Sequence, residues 1–220
     1  MGYFDPRATE GLTQVIEKKG VDSRFVQNNR PIALLNVWYK VITSVLTKRL
    51  NRVMNKLVSH PQKTVIGRLI HYNIFTLSQL INSAKKLQEE TLIINIDFEK
   101  AFDRVTHEFL LLVLKKIGFR ERFFNISKAC LSHCFSQVIL HDGDFSEGYD
   151  ILSGVRQGDC ISPLFFVLTI DMLIRAILNC REINGFKIPY HDKSILQPHN
   201  GEVLSNKIVG FADDLSDRLM

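Results

Sequence analysis

The segment Val209-Gly210-Phe211-Ala212-Asp213-Asp214 places two adjacent carboxylates directly after a short apolar run. Strand side chains alternate between two faces, so an adjacent pair suits a tight turn that presents oxygen ligands at a strand end. An Asp-Asp pair at a turn is by itself more often a solvated surface feature. A second apolar run, Leu92-Ile93-Ile94-Asn95-Ile96, also ends on a carboxylate, Asp97. Two such strand ends are what a divalent-metal phosphoryl-transfer centre requires.

The composition is that of a globular, intracellular chain with a real core. Of its 220 residues, 45% are hydrophobic and 10% aromatic, and this length predicts one or two domains. A net charge of +5 and a pI near 9.0 permit a polyanionic partner without requiring one. The cysteines, Cys130, Cys134, Cys160 and Cys180, form no CxxC pair, which is typical of reduced thiols.

No membrane segment is expected. The N-terminus has no apolar signal core and lacks the pattern of a myristoylation site. The longest apolar stretch, residues 164–178, contains Asp171 and Arg175. This stretch is too short and too charged to span a bilayer, so it is predicted to be a buried helix.

Apolar periodicity predicts five helices. Helical spacing recurs at residues 41–58, 69–88, 107–117 and 121–133, and Ser162-Pro163 opens an apolar helix. Thr106 and Gly118 suit the two caps of the third helix. Within 41–58, Lys48, Arg52 and Lys56 form a basic ladder with a spacing of four residues. The ladder is either a solvated helix side or a phosphate-facing surface.

Strand-like runs are interspersed among these helices. They lie at residues 92–96, 137–141, 145–152, 185–188 and 207–211. Asp142-Gly143 is a strong hairpin signal between the second and third of them. Because strands and helices mix without regular βαβ alternation, an α+β fold with a partly antiparallel sheet packed on helices is expected.

A glycine-containing block precedes the apolar helix. It reads Ser153-Gly154-Val155-Arg156-Gln157-Gly158-Asp159-Cys160-Ile161-Ser162-Pro163. Its two glycines let the backbone approach a ligand closely, and the helix N-terminus favours anions. The block is alternatively only a connector. Asp97 has a comparable alternative, as the capping residue of a turn at 99–104.

The three blocks follow one another about 55–60 residues apart and together resemble the reverse-transcriptase palm of non-long-terminal-repeat, LINE-like retrotransposons. Asp97-Phe98-Glu99-Lys100-Ala101-Phe102-Asp103-Arg104-Val105 is similar to motif A of that family. Gly154-Val155-Arg156-Gln157-Gly158-Asp159 with Ser162-Pro163 is similar to motif B, and Phe211-Ala212-Asp213-Asp214 to motif C. Arg30-Pro31-Ile32-Ala33-Leu34-Leu35-Asn36 with Tyr39-Lys40 is similar to the opening of the fingers. The resemblance covers nearly the whole chain from Arg30 on.

The resemblance implies the fingers and palm of a right-hand polymerase without a thumb. Residues 1–29 are then a loosely attached polar arm, 30–90 a helical fingers part, and 91–220 a palm incomplete at its C-terminus. It also implies an intracellular site, in the nucleus or the cytoplasm. The oligomeric state is not specified by the sequence.

The implied activity is RNA-directed DNA polymerase. Asp97, Asp213 and Asp214 are the implied catalytic residues and metal ligands, holding two Mg²⁺ ions with Mn²⁺ as an alternative. These ions activate a primer 3′-hydroxyl and neutralise the phosphates of the incoming nucleotide. The implied partners are an RNA template, a DNA primer and deoxynucleoside triphosphates.

Five further residues have implied nucleotide-binding roles. Arg68 corresponds to the fingers arginine that grips the triphosphate, since a planar fork suits phosphate. Phe98 contributes backbone contacts, and Gln157 and Gly158 line the nucleotide and template pocket. Phe102 corresponds to the aromatic gate that excludes a ribose 2′-hydroxyl; ordinary packing is its alternative role.

The chain also departs from the family pattern. Residues 62–68 are shorter than the usual fingers stretch and lack its Phe and Pro, and Cys160 replaces a usual proline. Residues 215–220 are too charged for the strand expected after motif C, so autonomous polymerase activity of the chain is not expected. The alternatives are an inactive remnant or a nucleic-acid-binding module. A third alternative, another palm-fold nucleotidyl transferase or cyclase, is disfavoured because it gives no role to the Arg156-Gln157-Gly158 block.

Overall fold

The computed structural model describes residues 6–88, 90–140, 143–187 and 205–208. The chain divides into two compact units, which are treated separately below. The first unit comprises residues 1–53 and 100–169, and the second comprises residues 54–99 and 170–220. The boundary between fingers and palm predicted from the sequence stays a prediction.

The first unit contains a four-stranded mixed sheet. Its strands are β1 (Gly11–Glu17), β2 (Asn29–Leu35), β3 (Phe135–Val138) and β4 (Tyr149–Asp150), in the order β2-β1-β3-β4. β1 is antiparallel to β2 and parallel to β3, and β3 is antiparallel to β4. The α+β class with a mixed sheet is confirmed.

Strand β1 corrects the expectation that residues 1–29 form a loosely attached arm. After the short helix α1 (Pro6–Thr9), β1 lies in the interior of the sheet, with Gly11 opposite Leu35. The Thr13 hydroxyl lies 2.8 Å from that of Ser136 and 3.0 Å from that of Tyr149. Polar residues such as Thr13 hide the alternation that identifies a strand, because hydroxyl groups bonded across strands replace apolar contacts.

Helices cover the core of this unit. α2 (Val37–Leu57), α4 (His107–Ile117), α5 (Glu121–Leu131) and α6 (Ser162–Asn179) lie where the periodicity predicts helices. The Thr106 hydroxyl accepts a hydrogen bond from the Phe109 amide, and Gly118 ends α4 with a φ of 89°. The buried side chains include Leu50, Leu110, Leu114, Phe165 and Val167.

The hairpin predicted around Asp142-Gly143 is present in part. β3 and β4 are shorter than the predicted runs, and an isolated antiparallel bridge joins Ile139 to Phe145. Gly143 has a φ of +84°, the left-handed conformation that favours glycine. Asp142 itself lies outside the described residues.

The second unit contains helix α3 (Ile70–Leu87), the C-terminal ends of α2 and α6, and a small antiparallel pair. This pair joins β5 (Phe186–Lys187) to β6 (Ser205–Asn206). β5 lies within the strand predicted at 185–188. β6 precedes the one predicted at 207–211, whose last three residues lie outside the described part of the chain.

The strand predicted at 92–96 is wrong. Residues 91–98 have no secondary structure, and Leu92 and Ile94 are 82% and 71% exposed. A strand forms only where its backbone groups pair with a neighbour, and no described strand lies beside this segment to pair with it. The apolar run identifies a segment suited to burial but cannot supply the partner that buries it.

Two charged residues of α6 connect this helix to the end of α2. Asp171 is 1% exposed and accepts hydrogen bonds from the Ser59 amide at 2.8 Å, from the Ser59 hydroxyl and from Arg175 Nε at 2.6 Å. Arg175 Nη2 also donates to the Leu57 carbonyl at 2.5 Å, near the end of α2. A buried carboxylate is tolerated where it is paired and hydrogen-bonded in this way.

Helix α6 is long and apolar enough to cross a membrane by length and composition alone. Half of its 18 residues are buried within the protein, and Phe165 and Leu168 belong to the core. Together with the buried Asp171, these contacts are those of the core helix that the sequence predicts.

The Asp171→Asn substitution tests this connection. The neutral amide is a weaker acceptor for Ser59 and Arg175, so the free energy of unfolding is expected to fall by about 2–4 kcal/mol. Thermal unfolding followed by circular dichroism measures the change. Asp150→Asn, the same change at an exposed position, is the control. Equal melting temperatures for the two variants would contradict the assignment.

Candidate active site

The glycine loop, defined as residues 153–159, is seated between two other backbone segments. Gly154 has a φ of +89°, and a Cβ atom there would lie 2.9 Å from the Asp103 Cα and carbonyl oxygen. Gly158 has a φ of +106°, and its Cβ would lie 2.6 Å from the Ala33 carbonyl oxygen. Real Cβ contacts are longer, so both positions require glycine for space as well as conformation.

Hydrogen bonds attach the glycine loop to the turn after Asp97. The amides of Gly154 and Val155 donate to the carbonyls of Val105 and Phe102, both at 2.8 Å. His107 Nε2 lies 2.9 Å from the Gly154 carbonyl. The structure therefore brings the second half of the motif A-like block and the motif B-like block together.

The other end of the loop contacts the sheet. The Ala33 amide donates to the Gln157 carbonyl at 2.7 Å, beside the close approach of Gly158 to Ala33. The backbone of Gln157 and Gly158 thus lies against strand β2. Three separated segments of the sequence, around residues 33, 103 and 157, converge at this point.

Phe102 lies next to this junction. Its ring stacks on that of Phe166, with centroids 5.1 Å apart and planes inclined by 13°. Stacking of this kind fixes the ring orientation and contributes about 0.5–1.5 kcal/mol beyond area burial. Phe102 as a whole is half-buried. Its role as a sugar gate stays a prediction.

A buried polar cluster holds the loop from beneath. Tyr39 on α2 is 1% exposed, and its hydroxyl donates to Asp159 Oδ2 at 2.9 Å and to the Cys130 carbonyl at 3.2 Å. The Arg156 guanidinium lies 4.6 Å from the centre of the Tyr39 ring, and its Nη1 donates to the Thr9 carbonyl at 2.7 Å. Burial raises the pKa of Tyr39, so the hydroxyl stays protonated and donates.

A cavity of about 10 Å³ lies beside this cluster, lined in part by Tyr39, His107, Cys130 and Arg156. A volume of this size holds about one water molecule. The cavity is therefore too small for a nucleotide and belongs to the support of the loop.

The sequence alone predicts no role for Tyr39 or Asp159. Tyr39 follows the segment 30–36, which is similar to the opening of the fingers, and Asp159 ends the glycine loop. Their separation of 120 residues concealed the contact. The available signal is a Tyr with helical spacing among apolar residues, since a buried Tyr hydroxyl needs a partner.

Arg68 is fully engaged within the second unit. Its Nη1 donates to the carbonyls of Ser59 and Gln62 at 2.6 and 2.8 Å. Its Nη2 donates to the carbonyls of Asn55 and Val58, and its Nε to Asn55 Oδ1. All five guanidinium donors thus satisfy carbonyls around the end of α2, where helices leave carbonyls unpaired. Triphosphate binding by Arg68 stays a prediction.

The predicted metal ligands are described only in part. Asp97 is exposed, and Phe98 beside it is 38% exposed, at the end of the segment 91–98, which has no secondary structure. Asp213 and Asp214 lie outside the described residues. Among residues 6–88, 90–140, 143–187 and 205–208, no group of three His, Cys, Asp or Glu side chains is placed to hold a metal. An all-carboxylate donor set nevertheless has the chemistry that Mg²⁺ prefers.

The described fold is similar to that of a right-hand polymerase. The apo telomerase of Candida tropicalis, truncated from its C-terminal domain, matches 81% of this chain and 41% of its own with a TM-score of 0.53. Sequence identity over that match is 14%, so the likeness concerns the fold alone. The predicted polymerase fold is confirmed.

Sequence comparison identifies the family. The model of the family "Reverse transcriptase (RNA-dependent DNA polymerase)" matches residues 16–216, so the chain belongs to the reverse transcriptase family. It is 31% identical over 94% of its length to the 149 kDa protein of transposon TX1 from Xenopus laevis. It is 26% identical over 96% of its length to the Pol polyprotein of the type-1 retrotransposable element R2 from Popillia japonica.

These matches confirm the resemblance to non-long-terminal-repeat retrotransposons. The chain spans 15% of the TX1 protein and 30% of the R2 polyprotein. Both relatives are thus much longer than this chain. Members of the reverse transcriptase family copy nucleic acid templates with nucleotide substrates and divalent metal ions.

Replacing Tyr39 by Phe tests the cluster beneath the glycine loop. The substitution keeps the ring under Arg156 but removes the hydroxyl that donates to Asp159 Oδ2 and to the Cys130 carbonyl. We expect the free energy of unfolding to fall by about 1–3 kcal/mol, measured by urea denaturation. Tyr72→Phe, at a position 60% exposed, is the matched control and should leave stability unchanged. If Tyr39→Phe left the free energy of unfolding unchanged, the hydrogen bonds assigned to the Tyr39 hydroxyl would be refuted.

Thiol labelling with iodoacetamide, read by mass spectrometry, tests burial in the same cluster. Burial raises the pKa of Cys130 to about 12 and also raises that of Cys134, whereas Cys160 is exposed. The exposed Cys160 should label rapidly at pH 8. Cys130 should label much more slowly, because its raised pKa leaves only about 10⁻⁴ of it as thiolate at that pH. The folded state holds the Cys130 proton more tightly than the unfolded state does. The resulting contribution to the free energy of unfolding is fully present below pH about 9 and is lost as the pH rises toward 12. Equal labelling rates of Cys130 and Cys160 in the folded protein would contradict the burial of Cys130.

Proposed function

We propose that this chain is the part of a retroelement protein that adds deoxynucleotides to a primer 3′-hydroxyl as directed by an RNA template. The observation that supports it is the seating of the glycine loop against both the Phe102 turn and strand β2. The backbone of Phe102 and that of Gln157 and Gly158 are hydrogen-bonded to or packed against the segments that meet at this junction, on which the proposed nucleotide pocket would be built. An RNA template and a DNA primer as partners support a reaction inside the cell, in the nucleus or the cytoplasm.

Three carboxylates would hold the metal. Asp97, Asp213 and Asp214 are the proposed ligands of two Mg²⁺ ions, with Mn²⁺ as an alternative. When bound, such ions lower the pKa of the primer hydroxyl and neutralise charge on the phosphates. The chain's own contribution is to position these ligands, and the turn that begins at Glu99 fixes the direction of the chain directly after Asp97.

The remaining residues would orient the nucleotide. The Phe102 ring, held parallel to Phe166, presents a flat surface that would exclude a ribose 2′-hydroxyl. Gln157 and Gly158 would contact the base pair from the loop, and the Phe98 backbone would contact the triphosphate. Arg68 would bind the triphosphate only after releasing carbonyls such as those of Asn55 and Val58.

A nucleic-acid-binding module without catalysis is the second candidate. The hydrogen bonding of all five Arg68 donors favours it, because a guanidinium whose N–H groups are all bonded within the protein has none left for a triphosphate. Under this reading the chain retains affinity for a template but extends no primer.

Primer extension on an RNA template with Mg²⁺ and deoxynucleoside triphosphates separates the two candidates. Asp213→Asn removes a proposed ligand and should lower extension at least about 100-fold, since a metal-bound oxyanion is stabilised by several kcal/mol. Asp144→Asn, at an exposed position, is the matched control and should retain activity. Template binding without extension by the unsubstituted chain would favour the second candidate, and equal extension by all three proteins would overturn the first.

A further inference from the structure

The charge of the chain is divided unequally along its sequence. Residues 23–88 contain no Asp or Glu but hold 11 of the 28 Lys and Arg residues. All 23 acidic residues therefore lie elsewhere, against the other 17 basic ones. The segment carries +11 and the remainder −6, an asymmetry that the net charge of +5 conceals. A basic segment of this length attracts a polyanion.

Helix α2 presents this charge to solvent. Its buried side includes Tyr39, Leu46, Leu50 and Met54. The opposite side, called the α2 face, comprises Trp38, Val41, Val45, Lys48, Arg49 and Arg52, which fall within about one third of the helix circumference. All six residues are exposed, with Trp38 at 76%.

The cations of the α2 face are not used by the fold. Within the described part of the chain, Lys48, Arg49 and Arg52 form no ion pair and no side-chain hydrogen bond. The helix itself contains no acidic residue that could neutralise them. Their charge is therefore available to a ligand.

We propose that the α2 face binds single-stranded RNA, with a base stacked on Trp38 and phosphates along Lys48, Arg49 and Arg52. The proposal rests on the proposed function only in taking that strand to be the template. Aromatic side chains bind unpaired bases, whereas cations in a row follow the backbone. From Trp38 to Arg52 the helix rises about 21 Å, which matches a few nucleotides of extended strand.

An anionic membrane is a less suitable partner for this helix. A helix that lies on a bilayer inserts a continuous apolar side. In α2 the continuous apolar side is buried in the protein, at Tyr39, Leu46, Leu50 and Met54. On the α2 face, by contrast, apolar residues occupy the first half and cations the second. That division fits a ligand with separate bases and phosphates.

Fluorescence tests the proposal directly, because Trp38 is the single tryptophan of the chain. The probe is a 12-nucleotide oligouridylate, added to the full chain without metal or nucleotide. Quenching of Trp38 is expected to saturate with the oligonucleotide. Acrylamide should quench the free protein efficiently; a shielded Trp38 would show that something else covers this face and would overturn the proposal.

Variants assign the binding to the face. The Lys48→Ala, Arg49→Ala, Arg52→Ala triple variant should bind a labelled oligonucleotide more weakly and lower the slope of log affinity against log salt by about 2. Trp38→Ala should weaken binding about 5- to 150-fold. The charge-matched control is Lys115→Ala, Arg120→Ala, Arg122→Ala, at three exposed positions on α4 and around the start of α5. It should retain affinity within about twofold.

The outcomes are distinguishable from those of the proposed function. Equal loss in the two triple variants would mean unspecific charge attraction and would overturn the proposal. A Trp38 response to vesicles of phosphatidylserine and phosphatidylcholine, without one to RNA, would do the same. Binding is measured without catalysis, so a chain that fails in primer extension still gives a valid result here. A chain that extends primers but shows unchanged binding in the α2-face variants loses only this proposal.

Discussion

The close approach of two glycines to neighbouring backbone is the constraint on which the candidate site depends. Gly154 lies against Asp103 and Gly158 against Ala33, at distances that leave no room for a Cβ atom. The contact lets short backbone hydrogen bonds connect three segments that are distant in the sequence. Tyr39, Asp159 and Arg156 support it from the core side. A buried polar cluster of this kind is costly when incomplete, so it specifies one position of the loop.

Helices were predictable because their signals are local. Each signal lies within a single stretch of chain, as do the cap residues Thr106 and Gly118 of α4 and the apolar spacing of α2. Both helices lie where these signals predict them. Strands depend on partners. β1 has no clear local signal, because the buried Thr13 hydroxyl forms hydrogen bonds with hydroxyls from two other strands. The strand predicted at 92–96 is absent, because an apolar pattern does not specify a neighbouring strand.

The candidate site also combines features with a local signal in the sequence and features that depend on distant partners. The motifs identified Phe102, Gln157 and Gly158 as a group, and the structure places them at one junction. The contact of Tyr39 with Asp159 spans 120 residues and is set by tertiary packing, which no local pattern contains. Arg68 shows the converse: its residue type suits a phosphate, but the same planar fork satisfies the carbonyls at the end of α2.

We propose that carboxylates from two distant segments of the chain, Asp97 and the Asp213-Asp214 pair, form one metal centre. Binding of Mn²⁺, followed by electron paramagnetic resonance in the presence of template, primer and nucleotide, tests it most directly. Asp97→Asn and Asp213→Asn should each remove most of the bound Mn²⁺. The double variant should lose little more than either single one, because the residues act on the same ions. Independent, additive losses, or unchanged binding in either single variant, would contradict the claim.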